Sequence, residues 1–370
     1  LSLPPIITLE TPEHLAGAGM LCLSRLQVSG RPVSVIVNVQ AAGNLAYPTA
    51  GDPFWGYRLE LGLLGIAHRE SLVCQSSAAR PNHLLSGFRQ SLRATHASLH
   101  VVASGLTLDG RGPEIGEWLY ESAVLEGRAH PLFAYNPELG QTFARRFNIE
   151  GNPQPEEEWP AYELPYLKND GGRDSLSIAF TYADYALLEP RLRAQFRVLP
   201  SGLNDPSLVT VDEYLRRDST DSLDLIPYVW TVDENGQLLR LVITRRLAYA
   251  CRDRLGYWRR LQEIAGIRNE HIQAAEALVE QRLTEQFEAE REAMRAAHAA
   301  ELEEVRRSAA HEAFERLAER LVGLDPADLG APASRTARRS GSTAATSSAA
   351  PSQASETTDR KRTRLKSSHT

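Results

Sequence analysis

The side chains that could do chemistry are scattered. His68, His83 and His100 have no partners at metal-ligand spacing, so each reads first as a packed or surface histidine. Cys22, Cys74 and Cys251 lie far apart and form no C-x-x-C pair. The chain by itself therefore lacks the ligand set of an iron–sulfur cluster or a tetrahedral zinc site. There is no G-x-S-x-G, no Walker loop and no G-x-G-x-x-G; Gly17-Ala18-Gly19 has no third glycine at that spacing. Asp109, Glu114 and Glu117 read as solvated charges near a helix start, where they suit the dipole. What remains is two loops, Glu10-Thr11-Pro12-Glu13-His14 and Asn38-Val39-Gln40-Ala41-Ala42-Gly43-Asn44, each following an apolar run.

The elements around those loops give them meaning. Pro4-Pro5-Ile6-Ile7-Thr8-Leu9 reads as a strand, residues 15–28 as a small-residue helix, and Val33-Ser34-Val35-Ile36-Val37 as a second buried strand. Strand, loop, helix, turn, strand is a βαβ unit, and parallel sheets bind ligands at the carboxyl ends of their strands. The same alternation continues through a helix at 58–68, a strand at 72–75, a helix from Arg80, a strand at 99–103 and a helix at 113–126. The aromatic stretch 47–57 reads as a loop that packs on the core or lines a pocket. A parallel α/β layer over residues 1–150 is the expected fold class.

Beyond an acidic, linker-like break at Asn152-Pro153-Gln154-Pro155-Glu156-Glu157-Glu158, the pattern changes. Asn169-Asp170-Gly171-Gly172 and Asp233-Glu234-Asn235-Gly236 signal two hairpins, with helices expected at 182–193 and 245–266. Residues 151–268 thus read as a small α+β extension. Residues 269–323 form a long charged helix with a sparse apolar stripe, from Ile272 through Phe287 to Leu321; a coiled coil and a lone helix both stay open. Residues 324–370 are Ser/Thr/Ala/Arg-rich and expected to be disordered, with the basic run Arg360-Lys361-Arg362-Thr363-Arg364-Leu365-Lys366 read as a solvated tail.

Composition bounds the function. A hydrophobic content of 42% supports a sizeable core, and a net charge of −6 argues against nucleic-acid binding by the main body. No long uncharged apolar run or signal peptide is visible, and the cysteines suggest no disulfide framework, so a cytoplasmic protein with no membrane contact is expected. The chain opens on Leu1 rather than Met, which points to a fragment or a non-standard start codon.

Several short matches occur in one order. Gly19, Leu23, Ser29 and Gly30 fit a helix and an "ASG" turn, and Val33, Val35 and Val37 fit a "VLVLDT" strand. Gly65-Ile66-Ala67-His68, Val73, Gln75-Ser76-Ser77 and His83-Leu84-Leu85-Ser86-Gly87-Phe88 follow, then Ala97-Ser98-Leu99-His100-Val101 and Pro131-Leu132-Phe133-Ala134-Tyr135-Asn136-Pro137. With these residues the chain resembles the C-terminal thiamine-diphosphate-binding region of pyruvate:ferredoxin (flavodoxin) oxidoreductases. The resemblance implies a thiamine-diphosphate-type sheet with flanking helices, thiamine diphosphate and Mg²⁺ as cofactors, and oxidative decarboxylation of a 2-oxoacid. It further implies ferredoxin or flavodoxin as acceptor, with iron–sulfur clusters on partner domains or subunits. The family's "GDG" falls on Thr11, Pro12 and Glu13, its threonine ligand on Gln40 (or Val39), and its "SNTGGQ" loop keeps only Asn44. Gln40 and Asn44 are thus the cofactor-binding positions the resemblance points to, with Glu10 or Glu13 as replacement carboxylates. No metal ligand is assigned. Ser104-Gly105-Leu106 stands where the family has a cysteine loop. The alternative is a non-catalytic scaffold of the same fold that assembles, as a homo-oligomer, through its long helix.

Overall fold

The computed structural model describes residues 6–43, 58–105, 115–168, 170–200, 202–218 and 220–322. Asn44, Asp109, Glu114, the aromatic stretch 47–57 and the tail 324–370 lie outside them. The elements run β1 (Ile6–Glu10), α1 (Pro12–Ala16), α2 (Met20–Gln27), β2 (Val33–Val39), α3 (Leu61–Ala67), β3 (Leu72–Ser77), α4 (Pro81–Ser91) and β4 (Ser98–Ala103). Then come α5 (Glu117–Glu126), β5 (Phe133–Tyr135), α6 (Phe143–Arg146) and β6 (Phe147–Asn148). They build a six-stranded sheet in the order β1-β2-β4-β3-β5-β6. The first four strands are parallel, and β5 and β6 add antiparallel at one end. The fold is therefore mixed α/β.

Register separates the two faces of this sheet. Val35, Val37, Leu99, Val101 and Val73 point to one face, where they join Leu15, Leu23, Leu61 and Ile66 in a buried cluster beneath α1, α2 and α3. Leu9, Ile36, His100 and Cys74 point to the other, where α4 packs over His100 and Cys74. Gly87 lets α4 approach closely: a Cβ there would stand 2.5 Å from the Cys74 Sγ. Phe88 of α4 lies on the His100 ring at 4.5 Å between centroids. His100 is fully buried and neither ring nitrogen has a partner, and burial pulls it down to about 4, so the ring stays neutral.

The remaining elements are β7 (Ala161–Leu167), β8 (Arg173–Ala179), α7 (Tyr182–Leu188), a 3-10 turn (Pro190–Gln195), β9 (Phe196–Val198), β10 (Leu208–Thr210) and α8 (Val211–Arg216). They end with β11 (Ile226–Val232), β12 (Leu238–Ile243), α9 (Arg245–Ala265) and α10 (Glu270–Val322). Both hairpins form around their expected turns, with Leu167 opposite Arg173 and Val232 opposite Leu238. The short strands β9 and β10 extend the second hairpin into a four-stranded sheet, β10-β11-β12-β9.

Two helices differ from expectation for local reasons. The helix expected at 15–28 starts earlier and breaks in two. Thr11 caps α1, Pro12 takes its first turn, and the chain turns at Gly17 before α2 begins at Met20. The helix expected at 182–193 stops at Leu188, because Pro190 cannot continue an α-helix and starts the 3-10 turn instead.

Residues Leu1–Thr284 pack as one compact unit, so the divide expected at 150/151 falls inside it. One cluster joins Ala41, Val124 and Ala129 to Tyr185, Leu241, Leu247 and Leu255. The other joins the sheet to Tyr257, Trp258 and Leu261 of α9. The acidic break is a fastened loop: Arg128 donates to the carbonyls of Gln154, Glu157 and Glu158, and Trp258 Nε1 donates to Glu157 O at 2.9 Å. Residues Glu285–Thr370 form the second unit. Helix α10 is 53 residues long and buries none of them.

Candidate functional site

The carboxyl edge of the parallel strands is the place to test. At the end of β1, Thr11 and Glu10 are already engaged. Thr11 Oγ1 accepts from the His14 backbone N–H at 3.3 Å, and Glu10 Oε2 lies 2.8 Å from His14 Nδ1. Pro12 offers neither a carboxylate nor an N–H. Gln40 follows β2 directly, its side chain exposed and its carbonyl accepting from Gly43 N–H at 3.0 Å. Among the described residues no group of three or more His, Cys, Asp or Glu is placed to hold a metal ion. A magnesium–diphosphate group needs several converging oxygen ligands. The described residues at the ends of β1 and β2 do not fit it.

Polarity gathers instead at the ends of β4 and β3. Ser104 Oγ donates to Asn38 Oδ1 at 2.8 Å, linking β4 to β2. Glu121 of α5 is 2% exposed and its Oε2 accepts from Ser77 Oγ at 2.9 Å. The Gly105 backbone N–H also donates to this carboxylate. Only glycine serves at 105: φ is +68° and a Cβ would stand 3.1 Å from Glu121 Cγ. Burial pushes the Glu121 carboxyl up to about 7, against the pull of those two donors. His130 is also buried, its Nε2 3.1 Å from Ser76 O, and burial holds it neutral at about 4.

A second carboxylate is tuned the opposite way. Burial alone would raise Glu60, but the Arg254 and Arg58 guanidiniums outweigh it and hold Glu60 below the usual carboxylate range. Arg254 Nη2 donates to Glu60 Oε1 at 2.7 Å and to Asp253 Oδ2 at 2.6 Å, and its guanidinium lies 5.0 Å from the Tyr257 ring. Glu60 stands at the start of α3 and Arg254 on α9, 194 residues later. Two buried carboxyls are thus tuned apart, Glu60 down by its arginines and Glu121 up by burial.

No protein-family model matches the chain, and no curated protein matches it either.

The polar cluster lies on the same carboxyl edge as Gln40, at the ends of β3 and β4. Gln40 is at a strand end but in no cluster, and Asn44 lies outside the described residues. Glu121, His130, Glu60 and Arg254 carried no motif. For Glu121 and Glu60 the one sequence signal is a charged residue among apolar ones, as Glu121 is between Tyr120 and Ala123-Val124-Leu125. Elsewhere, Cys74 Sγ, Ser76 Oγ and His83 Nδ1 form a chain with steps of 3.1 Å, beside a cleft of about 310 Å³ under α4. Burial pushes the Cys74 thiol up to about 11, so it stays protonated and is a poor nucleophile. His68 is engaged by Ser24 Oγ and Leu64 O.

The raised Glu121 carboxyl makes a pH prediction. Its folded value lies above its ordinary 4.5, so the folded chain binds this proton more tightly than the unfolded one. The contribution of this carboxyl to stability is then full below pH 4.5 and is lost as pH rises to about 7, by on the order of 3 kcal/mol. The stability difference between the wild-type chain and Glu121→Gln, from urea unfolding across that range, should change by that amount, because the buried His100 and His130, whose contributions run the other way, titrate alike in both. An identical slope in both would reject the assignment.

Proposed function

We propose that this chain is a non-catalytic member of the pyruvate:ferredoxin (flavodoxin) oxidoreductase type, a thiamine-diphosphate-fold domain retained as an assembly element. The observation that carries this reading is the use of Thr11, Pro12 and Glu10 to cap and open α1. The positions that the resemblance gives to the metal serve a helix instead. The exposed apolar residues of α10, among them Ile272, Val279, Phe287 and Leu317, support the assembly role, because large apolar side chains in a lone helix are stabilised by a partner. Among the described residues no helix is long and apolar enough to cross a membrane.

The Glu121 carboxyl favours a second reading. There the chain is the thiamine-diphosphate domain of a 2-oxoacid oxidoreductase, with Glu121 as an acid–base group, in a cytoplasmic complex whose partner domains hold the iron–sulfur clusters, the other half of the cofactor site and the ferredoxin or flavodoxin contact. Calorimetric titration with thiamine diphosphate and Mg²⁺ separates the two. The scaffold reading expects no heat of binding, with or without candidate partner subunits, and a light-scattering mass above the 40.9 kDa of one chain. Micromolar, metal-dependent binding would sink it.

A further inference from the structure

Among the described residues, one face of the parallel sheet is covered over only half its width. Pairing places Ile7 and Leu9 of β1, Ile36 and Asn38 of β2, and Val102 of β4 on the same face as His100 and Cys74. Helix α4 lies over β3 and β4, with Gly87 against Cys74 and Phe88 on His100. Its flank with Asn82, His83, Ser86 and Gln90 looks toward Ala134 of β5 and Asn148 of β6, lining the cleft there. The opposite flank carries Leu85, Arg89 and Leu92 at i, i+4 and i+7, all exposed, and so looks toward β2 and β1. Among the described residues no helix covers that side: Leu9 is 79% exposed and Ile7 54%. Parallel strands are ordinarily covered on both faces. Helices pack about 8–10 Å apart, which is about two strand spacings, so a second helix beside α4 would sit over β2 and β1. Among the described residues this leaves an apolar strip one helix wide, with Leu85 at its edge and Ile36, Leu9 and Ile7 as floor.

We infer that this strip receives the opening turns of α10 from a second copy of the chain. This rests on the assembly reading above and names the surface that the helix meets. Three observations favour that occupant. First, Ile272, Val279 and Leu283 recur at i, i+7 and i+11, form one stripe, and stand exposed on their own chain. Second, that stripe is about 18 Å long at 1.5 Å per residue, against about 17 Å for the five residues of β1. Third, the charges are complementary: Glu270, Glu276 and Glu280 accompany the stripe against the single cation Arg282, and the exposed Arg89 and Arg93 flank Leu92 at the end of α4. A helix laid apolar-face down in an apolar groove is an established recognition mode.

The full-length chain tests this by light scattering after gel filtration. The wild-type mass should be twice the single-chain 40.9 kDa. Leu85→Glu beside the strip and Val279→Glu on the helix, both at exposed sites, should each halve it with an unchanged circular dichroism spectrum. If Val279→Glu halves the mass and Leu85→Glu does not, the helices pair with each other; this inference falls and the assembly reading stands. If Leu85→Glu alone halves it, another surface covers the strip and the inference falls. If neither changes the mass, the inference falls as well, and a wild-type chain at single-chain mass overturns both readings. Should Leu85→Glu not fold, cross-linking decides. In a Cys22→Ser background, Leu85→Cys mixed with Val279→Cys should oxidise to a disulfide-linked pair of the two variants, and no such pair overturns the inference.

Discussion

Arg254→Met is expected to destabilise the chain by about 3–5 kcal/mol, the largest single effect at the candidate site. Arg254 is 2% exposed and neutralises two carboxylates at once, Glu60 at 2.7 Å and Asp253 at 2.6 Å. Methionine fills much of the same volume, so the loss reports charge rather than a cavity. Without the guanidinium, burial is the larger influence on Glu60, and its carboxyl rises instead of staying below the ordinary range. The pH dependence follows from that direction. In the wild-type chain Glu60 contributes stability above pH 4.5 that is lost as pH falls through its lowered folded value. In Arg254→Met that contribution disappears, and Glu60→Gln added to it should recover part of the loss. Urea unfolding of the two singles and the double gives the coupling. Strict additivity would show that the pair does not hold α3 to α9.

Arg128→Met is the second large effect, at about 4 kcal/mol. Arg128 is fully buried, reaches three carbonyls of the loop 154–158 and lies 3.9 Å over the Trp258 ring. Each hydrogen bond from a charged donor is worth about 1.5–3 kcal/mol net, and the orphaned carbonyls lose their partners in the interior. Trp258 and Gln262 hold the same loop from α9 through Glu157 O and Pro155 O, so part of it stays pinned. Thermal unfolding should shift down by on the order of 10 °C. A shift under about 2 °C would mean that α9 alone fastens the loop.

These two arginines mark the limit of reading by pattern. The strands of the parallel layer were legible because runs such as Val33-Ser34-Val35-Ile36-Val37 are apolar on both sides, which only a covered sheet rewards. The hairpins were legible because Gly171 and Gly236 take positive φ values, +81° and +75°, at their turns. The strands β9 and β10 were not, since three residues each carry too little periodicity and are set by pairing with the hairpin. The acidic break at 152–158 looked like a linker because its side chains are polar. What fastens it is its backbone carbonyls, and composition says nothing about those.

By itself the sequence determined the α/β class, the order of the first layer, the two hairpins and the long exposed helix, because each follows from local periodicity and turn chemistry. It also determined that Pro12 and Gln40 stand at the ends of the first two strands. Only the tertiary structure decided what those ends do, since Thr11 and Pro12 became a helix start through their contact with His14. Only it brought Glu60 to Arg254 across 194 residues and buried Glu121 against Ser77. Carboxyl tuning depends on desolvation and on the nearest charge. Both are properties of packed neighbours, and no stretch of sequence carries them.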